Sequence, residues 1–265
     1  VGGGYIAVEF AGIFRSLGAE VTIVIRADNI LRGFDGTMRD ALAAEMKKQG
    51  TKILSGTRVK GIEKTTDGFL VAIDQGSPLP ADAVMYATGR APNSKGIGLE
   101  EAGVTLDKSG AIQVDAYSKT AVECIYAIGD VTDRIQLTPV AIAEGMALAH
   151  TLFGGQPTAV DYANVPSAVF SQPTIGTVGL TEQAARQDHD VDIYLSKFKP
   201  MKHTLSGRDE QTVMKLIVDK KTGRVLGCHM LGGDAPEIIQ GIAIAIKAGA
   251  SKADFDATIG IHPTA

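Results

Sequence analysis

Apolar residues recur along this chain with two periods, and the switches between them mark out its elements. In "YIAVEFAGIFRSLG" the residues Ile6, Phe10, Ala11, Phe14 and Leu17 fall at helical spacing, and Gly18 closes the run as a C-terminal cap. The apolar run "EVTIVI" follows and reads as a buried strand. Met38, Leu42 and Met46 then stand at i, i+4 and i+8 in "GTMRDALAAEMKKQG", a second helix ended by Gly50. "RVKGIEKTTDGFLVAI" has the pattern of a hairpin turning at Asp67-Gly68, and "DAVMYATG" reads as a strand returning to the main sheet. Strands alternating with helices predict an α/β unit, a parallel sheet with helices on its faces.

From about Pro92 the periods shorten. "GVTLDKSGAIQVD" predicts a meander of short strands, "CIYAIGD" the end of a buried strand, and "LTPVAIAEGMALAHTLFG" an apolar helix. From about Thr158 strands ("SAVFS", "MKLIVD", "RVLGCHMLG") and helices ("LTEQAARQ", "PEIIQGIAIAIKAG", "SKADFDAT") are grouped as in an α+β domain.

Composition narrows the picture by exclusion. The 265 residues suggest about two domains, and 45% hydrophobic with 21% charged residues is ordinary for a packed globular chain. A net charge of −4, with its 26 basic residues scattered, argues against a nucleic-acid or membrane surface. No apolar run approaches the roughly 18 residues of a membrane span. The two cysteines, Cys124 and Cys228, are too far apart for a Cys-x-x-Cys site, so the spacing calls for neither a disulfide scaffold nor a zinc site. They read as two buried thiols in a reducing compartment, and with no secretory pattern at Val1 the expectation is a cytoplasmic protein. Both ends read as cut: the chain opens on a glycine cluster and stops two residues after His262-Pro263.

That cluster carries chemistry. "GGGYIA" fits G-x-G-x-x-G/A through Gly2, Gly4 and Ala7 and runs straight into a helix. Such a turn lets the backbone approach a pyrophosphate, while the helix start offers N–H groups and the positive end of its dipole. An NAD site would place an acid about 20 residues on, against the ribose 2′-hydroxyl. Arg26 stands there instead, with Arg32 further along "VIRADNILRGFD". Two guanidinium groups suit a 2′-phosphate, so the reading is NADPH, weighed against a pair of solvated surface arginines.

The segments "GGGYIAVEFAG", "ATGRAPN", "IYAIGDVT", "LTPVAIAEG", "VFSQPTIGTVGLTE" and "DFDATIGIHPTA" resemble, in this order, those of the pyridine nucleotide–disulfide oxidoreductases. The branch nearest in pattern reduces glutathione disulfide. The resemblance covers essentially the whole chain and implies the C-terminal part of a longer enzyme. On the family plan, residues 1–91 would be a Rossmann-type NADPH-binding domain, 92–156 the completing part of an FAD domain, and 157–265 a dimerisation domain. The FAD motif and the redox cysteine pair would lie upstream.

The resemblance also assigns roles. Gly2, Gly3, Gly4 and Ile6 match backbone positions along the pyrophosphate and nicotinamide. Tyr5 matches a gate over the flavin, and Glu9 a carboxylate that pairs with a flavin-side lysine. Gly89 matches a nucleotide-contacting glycine, Asp130 the acceptor of a ribityl hydroxyl of FAD, and Gln136 a residue touching the nicotinamide amide. Thr138, at a helix start, would face the flavin pyrimidine with the dipole's positive end. His262, reaching into a partner subunit, would exchange a proton with the departing thiol, a task suited to an imidazole, which ordinarily titrates near neutrality. The family makes this His-Pro bond cis, and orients the histidine with a glutamate about five positions later, past Ala265. The implied activity is reduction of glutathione disulfide by a homodimer using FAD and NADPH. Met146, where some relatives carry an arginine against a glutathione carboxylate, keeps trypanothione-type disulfides open. A dihydrolipoamide-type enzyme and a non-catalytic NADPH-binding module stay open as well.

Overall fold

Gly4, in extended conformation, precedes α1 (Tyr5–Ser16) as its N-cap. The computed structural model describes residues 1–264, which fall into two compact units, 1–88 with 163–265 and 89–162. The last residue of the "HPTA" segment lies outside the described residues. Helix α1 buries Val8, Ala11 and Gly12, not the expected stripe through Phe10, Phe14 and Leu17. Its sequence is apolar nearly all round, so its period admits more than one buried face. The row that is buried is the one carrying Val8 and Ala11, which join Ile23, Met38 and Leu42 in one core, with Gln172 next to Gly12 on the same side. Phe10 and Phe14 stand half-exposed, their ring centroids 5.7 Å apart.

Strand β1 (Thr22–Val24) pairs in parallel with β2 (Lys52–Leu54), and α2 (Gly36–Lys48) between them buries Met38, Leu42 and Met46 as expected. On the other side of β1 the Gly2 N–H donates to Val24 O at 3.1 Å, and Ala87 N–H donates to Val1 O at 2.8 Å. The extended row thus continues through residues 1–2 to 85–87, but the expected strand over 82–89 does not form. Among the described residues its ladder bonds are to Val1 alone, which accepts from Ala87 N–H and donates to Met85 O, too short a run to make a strand. The hairpin of β3 (Val59–Thr65) and β4 (Gly68–Ile73) pairs Thr65 with Gly68, which takes φ +132°, and is joined by the short β5 (Leu79–Ala81). Pro80 hid β5 from the sequence pattern.

In the second unit the expected meander survives as isolated bridges, Leu106 with Ile112 and Lys119 with Tyr126. No regular strand forms over "CIYAIGD": its pairing stops at the one bridge of Tyr126 with Lys119, closed by Ala127 N–H to Ser118 O and Thr120 N–H to Ile125 O. A 3₁₀ turn, Gly129–Thr132, follows, then α3 (Thr138–Phe153). Val104, Ile112 and Ala127 form the core of this unit.

Residues 163–265 supply β6 (Ser167–Val169), β7 (Ile175–Gly179), α4 (Glu182–Asp188), β8 (Val191–Phe198), α5 (Lys202–Ser206), β9 (Thr212–Asp219) and β10 (Val225–Leu231). Helices α6 (Ala235–Lys247) and α7 (Lys252–Ala257) follow. The strands make one antiparallel sheet in the order β6-β7-β10-β9-β8. Helix α6 lays Ala235, Ile239, Ala243 and Ile246 on Val178, Cys228 and Met230. Gly176 permits the approach, because a Cβ there would fall 2.5 Å from Ala235 O. Of the two cysteines expected to be buried only Cys228 is, and burial pushes its thiol pKa up to about 12, so it stays protonated and inert; Cys124, on the irregular segment before Ile125, is exposed. Val169, Ile175, Val213 and Leu231 of this sheet share one core with Val8, Ile23, Met38 and Leu42, which is why the two segments form a single unit. At about 1.5–3 kcal/mol for each large side chain fully buried, that shared core outweighs any single polar contact across it.

Candidate functional site

The glycine turn is built by close backbone approaches. Gly2 has φ +116°, and a Cβ there would lie 2.2 Å from Ala87 O, so only glycine fits. A Cβ on Gly3 would lie 2.9 Å from Ile25 Cγ2, while Gly3 O accepts the Leu31 N–H at 2.6 Å. A Cβ on Gly4 would meet nothing within 4 Å. The first two glycines are therefore demanded by the fold, whereas the third leaves open space at the helix start. No side chain caps α1, so its first N–H groups are available to an anion.

The same contacts place the arginines. Ile25 and Leu31 touch Gly3, and Arg26 and Arg32 are the residues that follow each of them. The loop over 26–32 thus runs beside the glycine turn, with both guanidinium-bearing residues exposed. Asp28, Asn29 and Ile30 are fastened to α2 through Arg39, whose Nε donates to Ile30 O at 2.7 Å and whose Nη2 lies 3.5 Å from Asp28. The donor set, uncapped N–H groups beside two exposed cations, fits a dinucleotide with a third phosphate. Tyr5 is 40% exposed and Ile6 half-buried at the head of α1. Glu9 accepts the Phe170 N–H at 2.9 Å, which fixes the carboxylate that the sequence singled out.

In the other unit, Asp130, Gln136, Arg90, Pro92 and Asn93 line a cavity of about 230 Å³. Arg90 Nη2 lies 3.7 Å from Asp130 Oδ2, and Gln136 Nε2 donates to Asp133 Oδ1 at 2.6 Å. Gly89, with φ +136°, immediately precedes Arg90. Thr138 opens α3, whose N-cap Leu137 offers no side-chain oxygen, so its start also presents N–H groups. These groups suit a ligand with hydroxyls and a polar ring edge. The flavin site of the expectation would need two such groups from this segment, a carboxylate acceptor and a helix start, and both are present.

The sequence reading missed Glu144. Buried within α3, it accepts the Gly129 N–H with Oε2 at 2.5 Å and the Tyr162 hydroxyl with Oε1 at 2.6 Å. Arg134 donates to Tyr162 at 3.0 Å and to Val114 O and Asp115 O. Burial, then the Glu144 carboxylate, raises the Tyr162 pKa and keeps its hydroxyl a donor. Glu144 anchors the turn that carries Asp130. The available signal was a lone acid on the buried i, i+4, i+7 row Val140, Glu144 and Ala147.

His262 is exposed beyond α7, and its peptide bond to Pro263 is cis, in agreement with the resemblance. Among the described residues it shares no hydrogen bond with the other members of the predicted set.

Residues 1–145 match the family model of the pyridine nucleotide-disulphide oxidoreductases, and residues 165–265 match the dimerisation domain of that family. The chain belongs to this family. It is 53% identical over 265 residues to a glutathione reductase of Burkholderia cepacia and 54% identical over 267 to the chloroplastic/mitochondrial glutathione reductase of Pisum sativum. It is also 48% identical over 271 residues to a trypanothione reductase of Leishmania donovani. All of this chain is covered in each case, yet it spans only 59%, 48% and 55% of those relatives' lengths. Among solved structures it resembles the HOCl-induced flavoprotein disulfide reductase RclA from Escherichia coli, with a TM-score of 0.90, 32% identity, and coverage of 100% of this chain and 61% of that one.

Proposed function

We propose that the intact protein reduces glutathione disulfide at the expense of NADPH: NADPH, a proton and the disulfide yield NADP⁺ and two glutathione thiols. The family uses FAD and NADPH, and FAD supplies the relay of electrons from nicotinamide to disulfide. The observation that carries the reading is the docking of the arginine-bearing loop on the glycine turn, through the Leu31 N–H to Gly3 O bond. Gly2, Gly3, Gly4 and Ile6 line the dinucleotide backbone, and Arg26 and Arg32 clamp the 2′-phosphate. Tyr5 and Glu9 stand on the nicotinamide side, with Gly89 against the nucleotide. Asp130 accepts from a ribityl hydroxyl, Thr138 offers its helix start to the flavin, and Gln136 reaches the nicotinamide amide. His262 gives a proton to the departing thiolate in a partner's site, which makes the working form a homodimer. The division at 1–91, 92–156 and 157–265 into NADPH, flavin and dimerisation segments belongs to the same proposal. So does a cytoplasmic setting, in line with two free cysteines and with no helix among the described residues long and apolar enough to cross a membrane.

A trypanothione-type disulfide is the second reading, favoured by the Leishmania relative and by Met146, 60% exposed on α3. The test is NADPH consumption by the intact protein with each disulfide in turn. A kcat/KM at least tenfold higher for glutathione disulfide supports the first reading, and the reverse order supports the second. No consumption with either disulfide contradicts both.

A further inference from the structure

The core shared by residues 1–88 and 163–265 encloses a charged cluster. Lys215 lies on the face of β9 that also carries Val213 and Ile217, and it is 2% exposed. Its ammonium donates to Asp35 Oδ1 and Oδ2 at 2.9 and 3.0 Å and to Thr37 Oγ1 at 2.9 Å, and it lies 2.7 Å from Glu182 Oε2. Asp35, itself 1% exposed, caps α2 by accepting the Thr37 N–H at 3.0 Å, and accepts the Glu182 N–H at 3.0 Å. Burial pushes the Asp35 carboxyl up, but the Glu182 N–H and the Lys215 ammonium together hold it below its ordinary value. Removal of the ammonium would leave a buried carboxylate without its counter-charge, so the cluster acts as one unit.

What this unit holds is the end of the nucleotide loop. Asp35 stands three residues after Arg32, and Phe34 N–H closes a turn onto Leu31 O at 3.1 Å. Upstream, Arg39 and the Asn29 amide, which donates to Asp40 Oδ1 at 2.7 Å, fasten residues 28–30 to α2. Helix α2 and the loop before it are therefore one piece, pinned at its first turn to the dimerisation sheet by Lys215.

We propose that Lys215 is a positioning residue for the nucleotide: from the dimerisation sheet it fixes, through Asp35, the loop carrying Arg26 and Arg32, and so sets selectivity for the 2′-phosphate. This rests on the reading of those two arginines as the phosphate clamp.

The test compares binding of adenosine 2′,5′-bisphosphate and 5′-AMP to the intact protein by calorimetry. Lys215→Met should lower the preference for the bisphosphate about tenfold, the size expected when one charge-assisted contact is lost, and should speed tryptic cleavage after Arg32. An unchanged preference, or equal weakening of both ligands, would mean a structural role only and overturn the proposal. Arg32→Leu is run beside it. If Arg32→Leu lowers the preference and Lys215→Met does not, the clamp stands and the proposal falls; if Arg32→Leu changes nothing, the clamp reading falls and takes the proposal with it. Should Lys215→Met fail to fold, the nearly isosteric Thr37→Val decides. It removes one acceptor of Lys215 and should lower the preference about two- to threefold; no change contradicts the proposal.

Discussion

Leu31 donates its backbone N–H to Gly3 O at 2.6 Å, and this bond joins the two halves of the proposed nucleotide site. On the proposed reading the glycine turn binds any dinucleotide, and the loop held against it decides which. Replacing both Arg26 and Arg32 by leucine should therefore raise the KM for NADPH by about two to four orders of magnitude, at roughly 1.5–3 kcal/mol for each charged contact, and change that for NADH little. Steady-state kinetics with both cofactors checks this, and equal losses would refute the clamp.

The glycines of the turn should separate into structural and binding positions. Gly2→Ala forces a Cβ to within 2.2 Å of Ala87 O at φ +116° and should cost about 2–3 kcal/mol or prevent folding. Gly4→Ala meets nothing within 4 Å, so its thermal midpoint should stay close to that of the parent while NADPH binding weakens. Calorimetric melting alongside NADPH titration distinguishes the two.

Glu144 should matter for the flavin although nothing assigns it contact with one. Glu144→Ala strands the Gly129 N–H and the Tyr162 hydroxyl, at about 1–3 kcal/mol for each group left unpaired. The turn bearing Asp130 should loosen and FAD retention on gel filtration should fall, with Glu144→Gln retaining part of it. Full FAD retention by the alanine variant would contradict the anchor.

Asp219 should give the protein an acid-sensitive step. The His189 imidazole at 2.8 Å, then the Thr222 N–H at 2.7 Å, lower its carboxyl from 3.8 to about 2. A carboxyl whose pKa is lower folded than unfolded stabilises the fold above the unfolded value and loses that contribution as pH falls from about 4 to about 2. Thermal midpoints across that window should fall less steeply for Asp219→Asn than for the parent, and parallel curves would exclude the effect.

Much of this was legible in local pattern. The glycine turn, the second helix through Met38, Leu42 and Met46, and the α+β grouping after residue 158 follow from spacing and turn chemistry alone. The buried face of α1 was misread because spacing alone does not say which of two apolar rows meets the rest of the fold; Val8 and Ala11 are the ones that join Ile23, Met38 and Leu42 in the core. The strands at 82–89 and 124–130 were misread because a strand needs a ladder partner of its own length. Lys215 and Glu144 read as ordinary charged residues because their partners, Asp35 and Gly129, are set by tertiary contact and not by spacing.

The proposed reaction is NADPH-driven reduction of a disulfide with His262 as the proton donor. The most direct measurement compares His262→Ala with the parent protein in two assays driven by NADPH, one with glutathione disulfide and one with an artificial acceptor that bypasses the disulfide. The expected result is a fall in kcat of about 10²- to 10⁴-fold with the disulfide, the usual worth of a positioned acid, and little change with the artificial acceptor. Equal rates for variant and parent with glutathione disulfide would contradict it.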